Sequence, residues 1–340
     1  MNTPPPSRSV SLLVDEPHVG RRLDAVVSEV AGISRSQATL RIDAGDVLVN
    51  ERPPSKAGVL LRAGDQVAIT VPPPPPSEAT PEDLPLTVVF EDDHLIVINK
   101  AADMVVHPSA GHDSGTLVNA LVHRYGVLAP DLGTEDGRPR PGIVHRLDLG
   151  TSGLLVVART EAARDALSAA LAEHAVRRRY LAVVHGLSLP ETGTWQTMHD
   201  RHPKDRRRYT SKTTTGRSAV THFEVLRRGR ALSLIACRLE TGRTHQIRVH
   251  CSDHHAPIVG DELYGGTTRP VPGPEAALVK SLTRQALHAF ELEFTHPATG
   301  EPMRFVGAPP PDFGTLIARA FGVVDPVAEL RSDADGEPAA

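Results

Sequence analysis

Cysteine and aromatic residues are scarce in this chain. It has 340 residues but only two cysteines, Cys237 and Cys251, which excludes a disulfide framework and a zinc site built from cysteines alone. Aromatic residues make up 4% of the sequence, so the core must consist mainly of Val, Leu, Ala and Ile. No apolar run approaches the roughly 20 residues that span a bilayer, and the N-terminus lacks the layout of a signal peptide. We therefore expect a cytoplasmic protein without a membrane segment.

Charges of one sign are concentrated in short stretches, although the formal net charge is only −4. Residues 78–93 and the residues after Asp325 are acidic. Residues 177–179 are three consecutive arginines, and residues 201–212, which we call the basic segment, are rich in arginine and lysine. A local basic patch is the electrostatic signature of phosphate binding, whatever the average charge. A solvated charged loop gives the same pattern.

A proline run divides the chain. Residues 72–76 are five consecutive prolines, which cannot form a helix or a central strand and favour extended polyproline II. We therefore predict a small domain at 17–71, a proline-rich linker at 72–85 and a larger domain at 86–312. The acidic stretch at 313–340 is predicted to be a disordered tail.

The small domain shows a pattern of two helices followed by strands. Residues 21–30 carry apolar side chains at helical spacing, and Ser34 and Gln37 have the spacing of a capping box ahead of a second helix. Residues 47–49 and 67–69 have the composition of short strands. The sequence thus predicts a compact module near the lower size limit for an independent core.

This module resembles the S4 RNA-binding domain. The matching residues are Arg22, Leu23, Asp24, Ser34, Arg35, Ser36, Ile42, Gly45, Val47, Val49, Asn50, Lys56, Gly64 and Asp65. Glu51 stands where the family usually has glycine. Arg35 and Arg41 lie on one predicted helix and could follow an RNA phosphate backbone, although scattered arginines also occur on helices that are merely solvent-exposed.

The larger domain is predicted to be rich in strands with short connections. A hairpin is indicated by apolar runs on either side of Asp92 and Asp93, and helices are indicated at 116–124 and 161–174. Consecutive strands with interspersed helices favour the α+β class, here a mixed, largely antiparallel central sheet with flanking helices. The further predicted strands are 154–158, 180–184, 219–226, 232–239 and 246–250.

One aspartate lies in a loop directly ahead of a buried strand. Residues 140–159 have the sequence RPGIVHRLDLGTSGLLVVAR, in which Asp148 is followed by Gly150 and Gly153. Loops on a rigid scaffold often carry catalytic groups, and Arg146 should keep the Asp148 carboxylate ionised. On these residues alone, a turn or capping aspartate is the more common interpretation.

The same run resembles the catalytic motif of the RluA family of pseudouridine synthases, HRLDxxTSGLL, and has every motif letter. The resemblance implies the pseudouridine synthase fold and isomerisation of uridine in RNA, with Asp148 as the nucleophile and no cofactor or metal. It also implies that Arg146 enters the RNA stack where the target uridine has flipped out. Flipping is required because uracil must be detached, rotated and rejoined, which stacked RNA does not permit.

Two further segments resemble motifs of this family. Residues 179–186, RYLAVVHG, imply that Tyr180 stacks on uracil and handles a proton, although a core tyrosine would give the same pattern. Residues 240–250, ETGRTHQIRVH, imply that Ile247 packs against the base and that Arg248 pairs with Asp148. On a regular strand Ile247 and Arg248 would point to opposite faces, so we rely mainly on the ion pair.

Other matches to the family are interpreted as structural. They include the segment GDELYG at 260–265, the segments around 287–297, and Asn99 and Lys100, where Ala101 replaces the usual proline. A cluster of metal-ligating residue types also occurs late in the chain but lacks a recognised zinc spacing, so no metal site is expected. Its members are His245, His250, Cys251, His254 and His255.

The combination of an S4 module with this catalytic domain resembles the RluD kind of family member, which modifies large-subunit ribosomal RNA. We therefore expect a 23S-type RNA partner, bound by a monomer, with Arg206, Arg207 and Arg208 against its phosphates. The same reaction on transfer RNA is an alternative. A non-catalytic S4-type RNA-binding or ribosome-assembly factor would not need the Asp, Tyr and Arg set. A paired-carboxylate glycosidase would need a second acid that the motifs do not show.

Overall fold

The computed structural model describes residues 8–33, 35–71, 79–108, 112–126, 128–129, 140–325 and 327. The described residues divide into two compact units, the first within 1–80 and 130–141 and the second within 81–129 and 142–340. No helix within the described ranges is long and apolar enough to cross a membrane.

The first unit is a three-stranded antiparallel sheet with two helices. Val67 and Ile69 share a buried core with Leu23 and Val26, as the alternating and helical patterns predicted. The first strand was not predicted, because its pairing partner lies more than fifty residues further along the chain. Ser34, the predicted helix cap, lies outside the described residues. The elements are β1 (Arg8–Leu13), α1 (Leu23–Ala31), α2 (Arg35–Asp43), β2 (Val47–Val49) and β3 (Gln66–Val71).

The second unit is built on a ten-stranded sheet in the described part of the chain, with strand order β4-β5-β6-β12-β7-β11-β10-β8-β9 and β13 paired to β12. The β6–β12 pair is parallel and the others are antiparallel, which confirms the mixed, largely antiparallel sheet. The strands are β4 (Val88–Glu91), β5 (Leu95–Lys100), β6 (Ser152–Ala158), β7 (Arg177–His185), β8 (Thr192–Arg201), β9 (Tyr209–Thr210), β10 (Arg217–Arg228), β11 (Leu232–Leu239), β12 (Leu287–Thr295) and β13 (Pro302–Val306). The helices are α3 (Leu117–Tyr125), α4 (Glu161–Ala172), α5 (Gln246–Asp253), α6 (Glu275–Ser281) and α7 (Pro311–Phe321).

Strands β5 and β6 are buried on both faces. Ile96 and Ile98 join one apolar cluster with residues of α3, whereas Leu95 and Val97 join another with residues of α4. Because side chains alternate along a strand, α3 and α4 cover opposite faces of this part of the sheet. The sheet is therefore a rigid base for the loop that leads into β6.

A glycine of the aspartate motif makes the approach of β6 to β12 possible. Gly153 has a φ of 122°, and a Cβ at this position would lie 2.3 Å from the carbonyl oxygen of Ala289. Only glycine tolerates both the backbone conformation and this approach. The pairs Ser152 with His288 and Gly153 with Ala289 thus fix the point where the Asp148 loop ends.

The predicted strand at 246–250 is wrong, since these residues begin helix α5. Ile247 and Val249 alternate with polar residues, which resembles a strand, but all residues from Gln246 to Cys251 are buried, so no amphipathic pattern marks the helix. His245, with a φ of 59°, turns the chain into it. Consecutive side chains on a helix lie about 100° apart, so Ile247 and Arg248 need not point in opposite directions.

The predicted disordered tail from residue 313 is also wrong at its start. Helix α7 spans Pro311–Phe321 and buries Phe313, Leu316 and Ile317, which join the main core of the second unit. The acidic composition of the following residues obscured this apolar face. Residues 328–340 lie outside the described residues.

Candidate active site

Main-chain hydrogen bonds hold the loop that carries Asp148. The Gly150 N–H donates to the carbonyl oxygen of Ala102 at 2.7 Å, and the side-chain amide of Gln285 donates to the carbonyl oxygen of Leu149 at 2.7 Å. These bonds are made by the backbone of the two residues that follow Asp148, so the Asp148 side chain is free to make contacts of its own. The loop is therefore positioned by the residues that follow β5 and by those that precede β12.

Asp148, Arg248 and Asp261 form a chain of buried ion pairs. Arg248 Nη1 donates to Asp148 Oδ2 at 3.2 Å, so the expected ion pair is present. Arg248 also donates through Nε and Nη2 to the two carboxylate oxygens of Asp261, at 2.7 and 2.9 Å. The exposed fractions of the side chains are 15% for Asp148, 8% for Arg248 and 0% for Asp261. A buried charge requires such pairing, and here the guanidinium serves two carboxylates.

Neighbouring groups keep Asp148 ionised despite its burial. Burial acts to raise the pKa of Asp148, but His245, Arg248 and Arg146 together hold that pKa below its ordinary value. Burial also acts to lower the pKa of Arg248, yet its hydrogen bonds and charge interactions with Asp261 and Asp148 raise it overall. The carboxylate therefore carries its charge at neutral pH while only a small part of it meets solvent.

Tyr180 lies on β7 and interacts electrostatically with Asp148. It is 6% exposed and pairs across the sheet with Cys237 and Ala289. Burial raises the pKa of Tyr180, with Arg178 acting in the opposite direction and Asp148 adding to the increase. The phenol is therefore protonated at neutral pH and can donate a hydrogen bond.

Ile247 and Arg146 have opposite environments. Ile247 is 4% exposed and belongs to the main core of the second unit. Arg146 is exposed to solvent, although its charge reaches Asp148. An exposed arginine beside an ionised, partly accessible carboxylate is compatible with insertion into a polynucleotide.

Asp261 and Tyr264 were assigned structural roles from the sequence, but both belong to the site. Asp261 is fully buried and binds Arg248 through two bonds. Tyr264, 4% exposed, places its ring 5.1 Å from the Arg248 guanidinium and its hydroxyl 2.9 Å from His245 Nδ1. The segment GDELYG was the sequence feature that could have indicated these roles, because an acid precedes an aromatic residue there by three positions.

Lys100 lies near the site and is almost completely buried, with 1% exposed. Its Nζ donates to the carbonyl oxygens of Ala101 and Met104, each at 2.7 Å. Burial lowers the pKa of Lys100 to about 7, although Asp148 and Asp103 act to raise it. Lys100 thus stabilises the backbone of residues 101–104. The Asp148 loop binds this segment through the hydrogen bond from Gly150 to Ala102.

Known protein families, proteins and solved structures resemble this chain. It matches the family described as RNA pseudouridylate synthase over residues 94–253 and the S4 domain over residues 21–67. Ribosomal large subunit pseudouridine synthase D of Xylella fastidiosa is 47% identical over 309 residues, which cover 88% of each chain. The chain belongs to the RNA pseudouridylate synthase family.

Other relatives and one solved structure agree with this assignment. Ribosomal large subunit pseudouridine synthase D of Escherichia coli K12 is 40% identical, over 89% of this chain and 92% of the relative. An RNA pseudouridine synthase of Bacillus subtilis, YlyB, is also 40% identical, over 91% and 97%. Human RNA pseudouridylate synthase domain containing 1 has 25% identity and a TM-score of 0.56, and the match covers 76% of this chain and 98% of the human chain. The predicted family, fold and reaction class are thereby confirmed.

Arg206, Arg207 and Arg208 of the synthase lie between β8 and β9, in the basic segment. Arg207 pairs with Asp205 at 3.2 Å and its side chain is 81% exposed, and Arg206 is also exposed. Arg208 instead lies 5.3 Å from the centre of the Tyr264 ring. The segment thus presents two arginines to solvent and directs the third toward the active site.

Arg35 and Arg41 belong to the S4 unit and are described within it. Arg35 donates to the buried carboxylate of Asp24 at 3.2 Å, and Arg41 donates to Asp46 at 3.3 Å. Both arginines therefore have intramolecular partners, and 57% of the Arg35 side chain is exposed.

The histidines considered as metal ligands contact other side chains of the synthase. His250 binds Thr221 Oγ1 and Thr197 Oγ1, each at 2.9 Å, and His254 stacks on Trp195. Among the described residues, no three His, Cys, Asp or Glu side chains come together as a group that could hold a metal ion.

Proposed function

We propose that this synthase converts uridines of large-subunit ribosomal RNA to pseudouridine, with Asp148 as the nucleophile. The observation that carries the proposal is the chain of ion pairs from Asp148 through Arg248 to Asp261. It keeps a carboxylate ionised and oriented, as nucleophilic catalysis requires. The RNA target is supported by the names of relatives with 40–47% identity, which are large-subunit synthases.

The reaction is an isomerisation in which every atom of the substrate is retained. The C1′–N1 bond of the uridine breaks, the uracil turns, and a C1′–C5 bond forms. C5 loses a proton and N1 gains one, so the reaction requires no cofactor. Asp148 forms a transient bond with the sugar or the base and recovers its free carboxylate when the product forms. Tyr180, protonated because burial raises its pKa, stacks on the base and takes part in this proton exchange, so it is protonated again when the product forms.

Arginine side chains bind the RNA in this proposal. Arg146 fills the space that the flipped uridine leaves in the stack, and Ile247 packs against the extruded base. Phosphates are bound by the arginines of the basic segment and of α2, namely Arg206, Arg207, Arg208, Arg35 and Arg41.

The nucleophile is tested with Asp148→Asn and a transcript of large-subunit RNA. We expect RNA affinity within about twofold of wild type, because a single uncharged isostere leaves the phosphate contacts intact, and no pseudouridine. The matched control is Asp165→Asn, which changes an aspartate that is 68% exposed on α4 and should retain full activity. Appreciable turnover by Asp148→Asn would contradict the proposal.

The RNA target is tested by deleting the gene in its own organism and mapping pseudouridines in total RNA. We expect sites to disappear from large-subunit ribosomal RNA and to return when the wild-type chain is supplied, but not when Asp148→Asn is supplied. Loss of pseudouridine from transfer RNA alone would contradict the ribosomal target and leave the nucleophile assignment standing.

The phosphate contacts are tested by neutralising Arg206, Arg207 and Arg208 together as glutamines. Each lost phosphate contact should reduce the slope of log affinity against log salt by about 0.7 to 0.9. Unchanged affinity and an unchanged salt slope would refute the contacts.

We also propose that the synthase acts as a monomer in the cytoplasm, where ribosomal RNA is assembled into ribosomes. Light scattering on a size-exclusion column gives the mass in solution, and fractionation of cells gives the compartment. A dimer mass or a membrane-bound fraction would contradict these two statements.

A further inference from the structure

Tyr264 lies between the basic segment and the catalytic ion pairs. Its hydroxyl oxygen accepts the main-chain N–H of Tyr209, the first residue of β9, at 2.8 Å. Its ring lies 5.3 Å from the guanidinium of Arg208 and 5.1 Å from that of Arg248. The buried Tyr264 side chain therefore contacts both the basic segment and Arg248, the arginine that binds Asp148.

His245 connects the Tyr264 hydroxyl to the start of α5. Its Nδ1 lies 2.9 Å from the Tyr264 hydroxyl, and its ring is perpendicular to those of Tyr209 and Tyr264, at 5.7 and 5.6 Å. His245 directly precedes α5 and has a left-handed φ of 59°, so its position sets the start of the helix that carries Arg248.

The polar atoms of Tyr209, Tyr264 and His245 fit one hydrogen-bonding arrangement. The Tyr264 oxygen accepts from Tyr209, so its own proton needs an acceptor because a buried hydroxyl is rarely left unpaired. Burial lowers the pKa of His245, although Asp148 acts to raise it, so the imidazole is neutral at neutral pH. Burial raises the pKa of Tyr264 to about 12, so the phenol keeps its proton and donates it to His245 Nδ1.

We propose that Tyr264 is a positioning residue that connects the basic segment to the Arg248–Asp148 pair. When RNA binds the basic segment, Tyr209 and Arg208 act through the Tyr264 hydroxyl and ring on His245 and Arg248. RNA bound to the basic segment then stabilises the orientation in which Arg248 holds the Asp148 carboxylate. This inference rests on the proposed function in one respect, namely that the basic segment binds RNA.

The hydroxyl is tested by Tyr264→Phe, which keeps the ring and removes the hydrogen bonds to Tyr209 and His245. We expect the single-turnover rate at saturating RNA to fall about tenfold, the magnitude of one or two lost hydrogen bonds, with RNA affinity within about twofold of wild type. The acid limb of the rate against pH should move to higher pH, because a less firmly held Arg248 stabilises the Asp148 carboxylate less. A loss of folded protein alone would not move that limb.

Tyr125→Phe is the matched control for this change. Tyr125 lies on α3 and donates its hydroxyl to Glu91, away from the residues named in the site. The Tyr125→Phe enzyme should keep the wild-type single-turnover rate and pH profile. A Tyr264→Phe enzyme with the rate and acid limb of Tyr125→Phe would overturn the inference.

Arg208 and Arg207 provide a second, independent pair of variants. Arg208 contacts the Tyr264 ring, whereas Arg207 is paired with Asp205 at the surface. We expect Arg208→Gln to lower both RNA affinity and the rate at saturating RNA, and Arg207→Gln to lower affinity alone. Equal saturating rates for the two variants would overturn the role of Tyr264. Unchanged affinity in both would instead contradict RNA binding by the basic segment, so the two failures are distinguishable.

Hydrogen exchange on the wild-type chain keeps the inference testable if Tyr264→Phe folds poorly. An RNA in which the target uridine is replaced by cytidine is added, so that the complex forms without reaction. Exchange should slow both within residues 201–210 and at the start of α5, around Gln246–Val249. Slowing in the first region without the second would show that binding is not transmitted and would refute the inference.

Discussion

Arg248 is bound more closely to Asp261 than to Asp148. Two of its nitrogen atoms donate to Asp261, at 2.7 and 2.9 Å, whereas one donates to Asp148, at 3.2 Å. Asp261 therefore fixes the plane of the guanidinium through a two-point contact. Asp148 receives one longer bond, which orients the carboxylate and still leaves it available for reaction.

Asp261→Asn should reduce both stability and activity. The change leaves Arg248 with a neutral partner in a buried site, and breaking a buried ion pair typically costs about 3–5 kcal/mol. We expect the free energy of unfolding, measured in urea, to fall by an amount in this range. The single-turnover rate should fall at least about tenfold, because the guanidinium loses its fixed plane. Wild-type stability in Asp261→Asn would show that Asp261 does not anchor Arg248.

Arg248→Lys should shift the pH dependence of the reaction. The His245, Arg248 and Arg146 side chains hold the pKa of Asp148 below its ordinary value of 3.8, against the effect of burial. A lysine keeps the charge but loses the fixed two-point geometry, so burial raises the pKa of Asp148 in the variant. The wild-type rate should decline only near the pH where Asp148 is protonated, and the variant should decline at higher pH. Identical acid limbs would count against this pairing.

The same ion pair should make stability depend on acid pH. Because the pKa of Asp148 is lowered on folding, the pair contributes stability above the unfolded value of about 3.9. That contribution is lost as the pH falls through the folded value. Urea unfolding of wild type and Asp148→Asn should therefore give a difference that is largest at neutral pH and disappears in strong acid. A difference that is independent of pH would contradict the lowered pKa.

Lys100→Met should remove a pH dependence above neutrality. Burial lowers the pKa of Lys100 to about 7, with Asp148 and Asp103 opposing it, whereas an unfolded lysine titrates near 10.4. Between these values the unfolded chain binds more protons, so the free energy of unfolding rises with pH by at most about 1.4 kcal/mol per unit. Relative to Lys100→Met, the wild type should gain stability from about pH 7 to about pH 10. If the free energy of unfolding depends on pH in the same way in wild type and Lys100→Met, the lowered pKa of Lys100 is contradicted.

Phe313→Ala should show that α7 belongs to the folded core. Phe313 is completely buried, and removing a buried phenylalanine side chain costs about 3–5 kcal/mol. The control Val324→Ala changes a residue that is 91% exposed and should alter stability by less than about 0.5 kcal/mol. Equal urea midpoints for the two variants would contradict the packing of α7.

The motifs predicted the Asp148–Arg248 pair but not the fold of the segment that carries Arg248. Alternating Ile247 and Val249 favour a strand by local pattern, and the helix forms because the surrounding residues bury α5 on all sides. Asp261 was likewise missed, because its role depends on the approach of a loop thirteen positions beyond Arg248. Local sequence does not contain these tertiary constraints.

Elements with a strong local signal were predicted well. Strands β5 and β6 lie where apolar runs were found, and helices α3 and α4 lie where helices were predicted. The start of the tail was assigned by its acidic composition, which outweighed the three apolar residues that α7 buries. The edge strand β1 depends on a distant partner, β3, so its short alternating run carried too little information.

The parallel contact between β6 and β12 has a consequence for synthesis of the enzyme. Ser152 pairs with His288, and Gln285, which holds the Asp148 loop, immediately precedes β12. While the chain grows on a ribosome, Asp148 emerges long before these partners. The contacts that hold the Asp148 loop therefore cannot form until Gln285 and His288 have been translated, so the site is completed late in synthesis of the chain.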